Sequence, residues 1–371
     1  MYLNQFFELI GWNINTNIAI GSFNFDLAPV IIVAFFTALL VMGTKIGARV
    51  DGALTILKIA IVVFIVVVGF FYIKAENFTP FIPPSEPAAS TDGSGVSAVM
   101  EQPLWQWATG MAPSIYGVTG IISGAALVFF AFLGFDVVAT ASEETINPKK
   151  NVPLGIGVGL GLIIVLYTLV AIVTTGMVSY KDLAKQSDPS LAVAFKMVGA
   201  DWAAKIISLG IVIGMATVVM VLLLGLTRVV FAMSRDGLLP RGLSHTGKHG
   251  TPVRLQIIVG VVMALIAACC NVGILSDMVN IGTLSAFTLV AISIPIMRKK
   301  RPDLERSFKI PGNPWVPILI ALANLWLMVN LSVLTWIRFV VWLIVGFAIY
   351  FGYGYRHARL GAGELEVAAQ E

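Results

Sequence analysis

Charge is scarce in this sequence. Lys, Arg, Asp and Glu together make up 12% of its 371 residues, about half the share found in soluble globular domains. That scarcity excludes a solvated globular surface and a charge-rich disordered chain alike. The balance of 24 basic against 20 acidic residues, a formal +4, is too mild to indicate nucleic acid as a partner. The placement of the bases therefore matters more than their sum. Cysteine is nearly absent: Cys269 and Cys270 stand side by side in an apolar run. Neighbours do not form an ordinary structural bridge, so neither a disulfide framework nor a metal site is indicated. Histidine is nearly as rare, and the pair His245 and His249 in "SHTGKHG" lacks the intervening glutamate of a zinc hydrolase. The opening residues, "MYLNQFFELIGWNINTN", lack the basic start, compact apolar core and small-residue cleavage site of a secretory signal. Insertion into a membrane is expected to rely on internal spans.

What the sequence has in quantity is apolar length. It is 58% hydrophobic with a mean hydropathy of +0.90, the composition of a membrane protein. A span needs about 20 mostly apolar residues. Nine such windows recur, at roughly 27–45, 50–73, 115–142, 153–179, 202–234, 252–271, 276–297, 314–332 and 334–355, which predicts an all-α polytopic protein. One long hydrophilic connection, rich in Pro, Ser and Gly, covers 75–114. Basic residues cluster in alternate loops, as at Lys45 and Arg49, Lys149 and Lys150, and Arg298 to Arg301, whereas the opposite loops hold few. By the positive-inside rule the first set is cytoplasmic. The N-terminus and the 75–114 loop are then external, and the C-terminal tail at 358–371 is internal.

A few polar residues sit where a plain span has none. Lys58, in "GALTILKIAIVVF", lies about two turns inside its span, and a lysine at the hydrocarbon centre costs roughly 2.5–3.5 kcal/mol. It is expected to face the bundle interior. Two roles are open: a proton carrier, whose ammonium form burial disfavours, or a fixed cation that either snorkels or caps a helix ending within the membrane. Arg228 lies near the end of its span and can snorkel to the interface. In "ALVFFAFLGFD", Gly134 and Asp136 follow an aromatic cluster. The pattern suits an interruption whose carbonyls hold a polar substrate at the midplane; it also suits close helix packing with Asp136 paired to a neighbour. Asn147 and Pro148 then stop the helix and Pro153 begins the next, with Glu143 and Glu144 paired to the lysines or gating an exit. Thr217, beside Gly214 and Ala216, either contacts an ion or the Lys58 ammonium, or bonds to its own helix backbone.

The runs "FFAFLGFDVVATASEETINPKKNVPLGI", "GARVDGALTILKIAIVV" and "LTRVVFAMSRDGLLP", with the tail "PGNPWVPILIALANLWLMVNLSVLTWIRFVVWLIVGFAIYFGYGYRHARL", resemble the amino acid permeases of the APC superfamily. The nearest branch is bacterial transporters similar to cationic amino acid transporters. The resemblance implies a LeuT-like fold: two inverted five-helix repeats around a midplane site, usually with two further helices. Aligned in this way, residues 1–74 resemble the family's fourth and fifth helices and 115–297 its sixth to tenth. Residues 298–357 resemble the two added helices. No counterpart of the first three helices is found, so the fold is expected to be incomplete, without the glycine-rich break that binds the substrate carboxylate.

The sixth-helix break of the family falls on Phe130, Ala131, Phe132, Leu133 and Gly134. The resemblance implies that the carbonyls of Phe130, Ala131 and Leu133 accept the substrate ammonium and that the Phe130 ring covers it. Lys58 aligns with a fifth-helix lysine that stands in for a sodium ion in proton-coupled relatives, and Thr217 faces that place from the eighth helix. The implied function is an amino acid permease, driven by proton symport through alternating access. No cofactor beyond the coupling proton is implied. Two other readings are a truncated, non-transporting fragment and an exchanger of amino acids or amines. The spans hold no paired catalytic acids, no nucleophile with a base and no metal cluster, so no enzyme is expected. The expected partners are an amino acid and the lipid bilayer of a bacterial plasma membrane, with no nucleic acid. Neither the particular amino acid nor an oligomeric state can be read from these residues.

Overall fold

A computed structural model of the chain describes residues 17–20, 23–42, 44–87, 96–112, 114–140, 145–186, 189–245, 252–269, 272–303, 306 and 308–358. A hairpin of β1 (Asn17–Ile20) and β2 (Phe23–Asp26) leads into helix α1 (Leu27–Met42) and then α2 (Thr44–Phe70). The 75–114 connection carries a two-residue ladder of β3 (Glu86–Pro87) with β4 (Ser114–Ile115) and two short helices, α3 (Val96–Glu101) and α4 (Leu104–Thr109). After it come α5 (Gly117–Val128), α6 (Phe135–Thr140), α7 (Pro148–Met177), α8 (Tyr180–Ala184) and α9 (Leu191–Met197). The remaining helices are α10 (Asp201–Arg235), α11 (Val253–Cys269), α12 (Val272–Lys300), α13 (Trp315–Val329) and α14 (Val333–Ile349), the last continued by a π-helical turn at Tyr350–Gly354.

Among the described residues, five helical stretches are long and apolar enough to cross a membrane: Gly52–Phe70, Pro148–Met177, Asp201–Arg235, Val272–Lys300 and Val333–Gly354. Four shorter apolar stretches, Pro29–Val41, Gly117–Phe132, Val253–Cys269 and Trp315–Val329, fall on the other four hydropathy windows. Large apolar side chains face outward along these helices, with Ile56 72% and Trp342 67% exposed. Such a surface suits lipid, where the outward face gains nothing from polarity. One boundary differs from expectation. Helix α7 starts at Pro148 rather than at Pro153, because a proline at the first helical position loses no hydrogen bond and is preset in φ. Asn147 precedes it at φ +51 and its carbonyl accepts from the N–H groups of Lys150 and Asn151. Glu143, Glu144, His249, Cys270, the residues before 17 and those after 358 lie outside the described residues.

The chain forms two compact units, each assembled from separate segments. The first holds residues 1–80, 158–270 and 352–371. Its axis is α10, whose 35 residues extend about 52 Å, well beyond a hydrocarbon core of about 30 Å. Buried residues recur along it at helical spacing, including Ala203, Ile207, Gly210, Thr217, Met220 and Leu223. One cluster joins Ile207 to Ile65 of α2, Val173 of α7 and Phe195 of α9; a second joins Leu223 to Phe36 and Leu40 of α1 and Leu255 of α11. Close approach depends on missing side chains: a Cβ on Gly210 would stand 2.5 Å from Ile61 Cδ1, the small-residue packing common between membrane helices. The end of α7 is satisfied locally, since the Gly176 carbonyl accepts from Lys74 N–H at 2.9 Å and from Asn77 Nδ2 at 2.7 Å.

The second unit holds residues 81–157 and 271–351. Its core joins Ala126 of α5, Ile281 and Leu284 of α12, Met328 of α13 and Phe339 of α14. The described residues at the end of the 75–114 connection are tied to this unit by backbone bonds. Leu104 N–H donates to the Leu331 carbonyl at 3.0 Å, and Val333 N–H donates to the Gln102 carbonyl at 3.1 Å. These bonds fasten α4 to the corner between α13 and α14.

Candidate functional sites for substrate and coupling

The helix that begins at Gly117 does not run through. After Val128 it tightens into a 3₁₀ turn over Phe129–Phe132, Leu133 is extended at ψ 143, and Gly134 takes φ +121 before α6 resumes at Phe135. A Cβ on Gly134 would meet no atom within 4 Å. The glycine is therefore needed for its backbone angle, which side chains of L-residues rarely adopt, and not for space. Gly124, in the preceding helix, also has open space around it, so packing does not explain that glycine either. Of the two readings of "FAFLGFD", interruption is what the backbone adopts.

Within the break, Leu133 N–H donates to the Phe130 carbonyl at 3.2 Å, and Val137 N–H donates to the Gly134 carbonyl at 3.2 Å. A bound ammonium would be the second donor at Phe130, which a carbonyl with two lone pairs can accept. The extended Leu133 turns its carbonyl out of the helical ladder. Phe130 is 45% exposed. Phe132, Leu133 and Gly134 are half-buried and Ala131 is exposed. Asp136 falls in the first turn of α6, and its side chain lies outside the described ones.

A second constellation lies in the first unit. Lys58, half-buried on α2, runs its stem over Gly214 of α10: a Cβ there would stand 3.5 Å from Lys58 Cγ and 3.6 Å from Cδ. One turn further along α10, Thr217 is fully buried and its Oγ1 donates to the Gly214 carbonyl at 2.8 Å. The hydroxyl proton is thus committed to its own helix, and the oxygen lone pairs remain to accept from a cation. Arg228 is half-buried on the same helix, a position from which its long side chain can snorkel. Among the described residues no group of three His, Cys, Asp or Glu is placed to hold a metal ion.

Sequence reasoning missed two residues beside the break. Asn280 of α12 is fully buried and its Nδ2 donates to the Leu127 carbonyl at 3.5 Å. Phe287 of α12 touches Phe129 (ring centroids 6.1 Å, interplanar 78°) and Phe135 (5.2 Å, 34°). Their nearest signal in the sequence is an asparagine and an aromatic residue on one apolar span, which single out neither.

Comparison with known proteins places these features in a family. The profile of the family described as "Amino acid permease" matches residues 1–352. The chain is 40% identical over 337 residues to the methylthioribose transporter of Bacillus subtilis, covering 91% of this chain and 66% of that protein. It is 40% identical over 342 residues to the branched-chain amino acid permease BcaP of the same organism, covering 92% and 66%. Identity to the plant "Cationic amino acid transporter 3, mitochondrial" of Arabidopsis thaliana is 34% over 281 residues, covering 76% and 42%. The chain thus spans 66% of the length of the two bacterial relatives. A family match over residues 1–352 of the 371 assigns this protein to the amino acid permease family.

Proposed function

We propose that this protein is a secondary active transporter that moves amino acids across a membrane by proton symport and alternating access. The observation that carries the reading is the interrupted helix at Phe129–Gly134. A break of this kind inside an apolar helix offers backbone carbonyls to a cationic group where water is scarce. Phe130, Ala131 and Leu133 supply the carbonyls for the substrate ammonium, Phe132 and Gly134 shape the break, and the Phe130 ring covers the bound molecule. Lys58 carries the coupling proton, with the Thr217 oxygen as its partner on α10. No cofactor beyond the proton takes part. Segments 1–74 and 115–297 serve as parts of the two inverted repeats of a LeuT-like fold. The bilayer is that of a bacterial plasma membrane, with the 75–114 loop outside and the C-terminal tail in the cytoplasm.

The two 40% identical relatives are named for different cargoes, methylthioribose and branched-chain amino acids. Methylthioribose has no ammonium group for the break to hold, so the chemistry of the break favours the amino acid. The test is uptake by the purified chain in proteoliposomes. An inward proton gradient is expected to drive leucine or lysine uptake, and Lys58→Ala is expected to remove the dependence on that gradient. Unchanged pH-driven uptake in Lys58→Ala overturns the coupling role. Flux that needs a counter-substrate and no gradient makes the protein an exchanger, and uptake of methylthioribose without any amino acid overturns the substrate class.

A further inference from the structure

Helix α12 lies against the broken helix on both sides of its interruption. Asn280 Nδ2 donates to the Leu127 carbonyl across 153 residues of chain, at the place where α5 tightens into the 3₁₀ turn. The Leu127 carbonyl already accepts a backbone N–H at the end of α5, and with two lone pairs it can take the Asn280 amide as a second donor. The amide thereby ties α12 to the last turn before the break. About two turns along α12, the Phe287 ring meets Phe129 before the break and Phe135 after it. Between these two contacts Ile281 and Leu284 are fully buried in the cluster that includes Ala126 and Phe129. Asn280 Oδ1 makes no hydrogen bond among the described residues. Its link to the break is therefore through Nδ2 alone, and an isosteric leucine removes that link without stranding a second partner.

We propose that Asn280 and Phe287 are positioning residues that hold the two halves of the broken helix in the substrate-binding arrangement, Asn280 through the Leu127 carbonyl and Phe287 through its contacts with Phe129 and Phe135. The proposal deepens the transport reading and rests on the break being the substrate site. Two measurements separate the two claims. Hydrogen exchange of the amides at 129–137 reads the break itself and needs no transport. The KM and maximal rate of amino acid uptake read its use. In Asn280→Leu the exchange at 129–137 is expected to rise about five-fold, with KM raised about as much and maximal rate little changed, the size of one lost hydrogen bond. Asn280→Gln, which keeps the amide, should recover part of both. Phe287→Leu should loosen 129–137 in the same way, and Phe287→Tyr should not; this pair also serves if Asn280→Leu gives no folded protein. Unchanged exchange at 129–137 in both leucine variants overturns the proposal, as does a rise that extends equally over 201–235, which would be general loosening. If exchange rises only at 129–137 while even the unaltered chain transports no amino acid, the positioning role stands and the transport reading falls.

Discussion

At the residue scale, the least replaceable position in the break is the one with the most room. Nothing lies within 4 Å of a Cβ on Gly134, yet its φ is +121. Gly134→Ala therefore tests backbone geometry without a steric clash. It is expected to cost about 1–3 kcal/mol of stability and to weaken substrate binding, both readable from thermal unfolding with and without amino acid. Gly124→Ala is the internal control. That glycine is helical with open surroundings, and alanine there should raise stability by about 0.5–1 kcal/mol. Equal effects at the two positions would mean that the break does not depend on the angle at Gly134. Thr217 shows the complementary case, in which residue type was informative and partner was not. A threonine on an apolar helix signals either a ligand or a bond to the preceding turn, and here the bond to Gly214 is what the hydroxyl makes.

At the element scale, the sequence read well wherever one segment sufficed for the inference. Apolar length alone located α1, α2, α5, α7 and α10 to α14, because a membrane span must satisfy its backbone internally and over a fixed thickness. The interruption at 129–134 was visible as aromatic residues followed by Leu-Gly, although the family resemblance was needed to choose it over packing. What depended on two distant segments stayed hidden. Asn280 and Leu127 are 153 positions apart, and no periodicity pairs them. The order in the 75–114 connection was hidden for the same reason, since Leu104 and Gln102 are held by backbone bonds to the α13–α14 corner that side-chain pattern does not encode. Ser332 caps α14 at that corner. Its Oγ accepts from Thr335 N–H at 3.2 Å and lies 2.7 Å from Thr335 Oγ1, which donates to Asp277 of α12 at 3.2 Å. Removing this N-cap in Ser332→Ala is expected to cost about 1 kcal/mol, and Ser332→Thr should restore most of it. The unfolding midpoint of the two variants is the measurement, and equal midpoints would show that the cap contributes nothing at this corner.

At the scale of the whole molecule, the compact units do not follow chain order. Residues 1–80 share a unit with 158–270, and 81–157 share one with 271–351. No linker composition marks these changes, because helix α7 runs unbroken through residues 157 and 158. Charge carries the large-scale information instead. Arg298, Lys299 and Lys300 occupy the last turn of α12, where cations favour the helix terminus and where the positive-inside rule supports the proposed cytoplasmic side. Ala75, five residues beyond the end of α2, is exposed at the start of the opposite connection. The proposed orientation therefore predicts a labelling asymmetry. With Cys269 and Cys270 changed to serine, a membrane-impermeant maleimide added to intact cells should label Ala75→Cys at once. It should label Lys299→Cys only after the cells are opened. The reverse pattern would invert the topology, place the Lys299 side outside and require the proton gradient to act from the opposite face of Lys58.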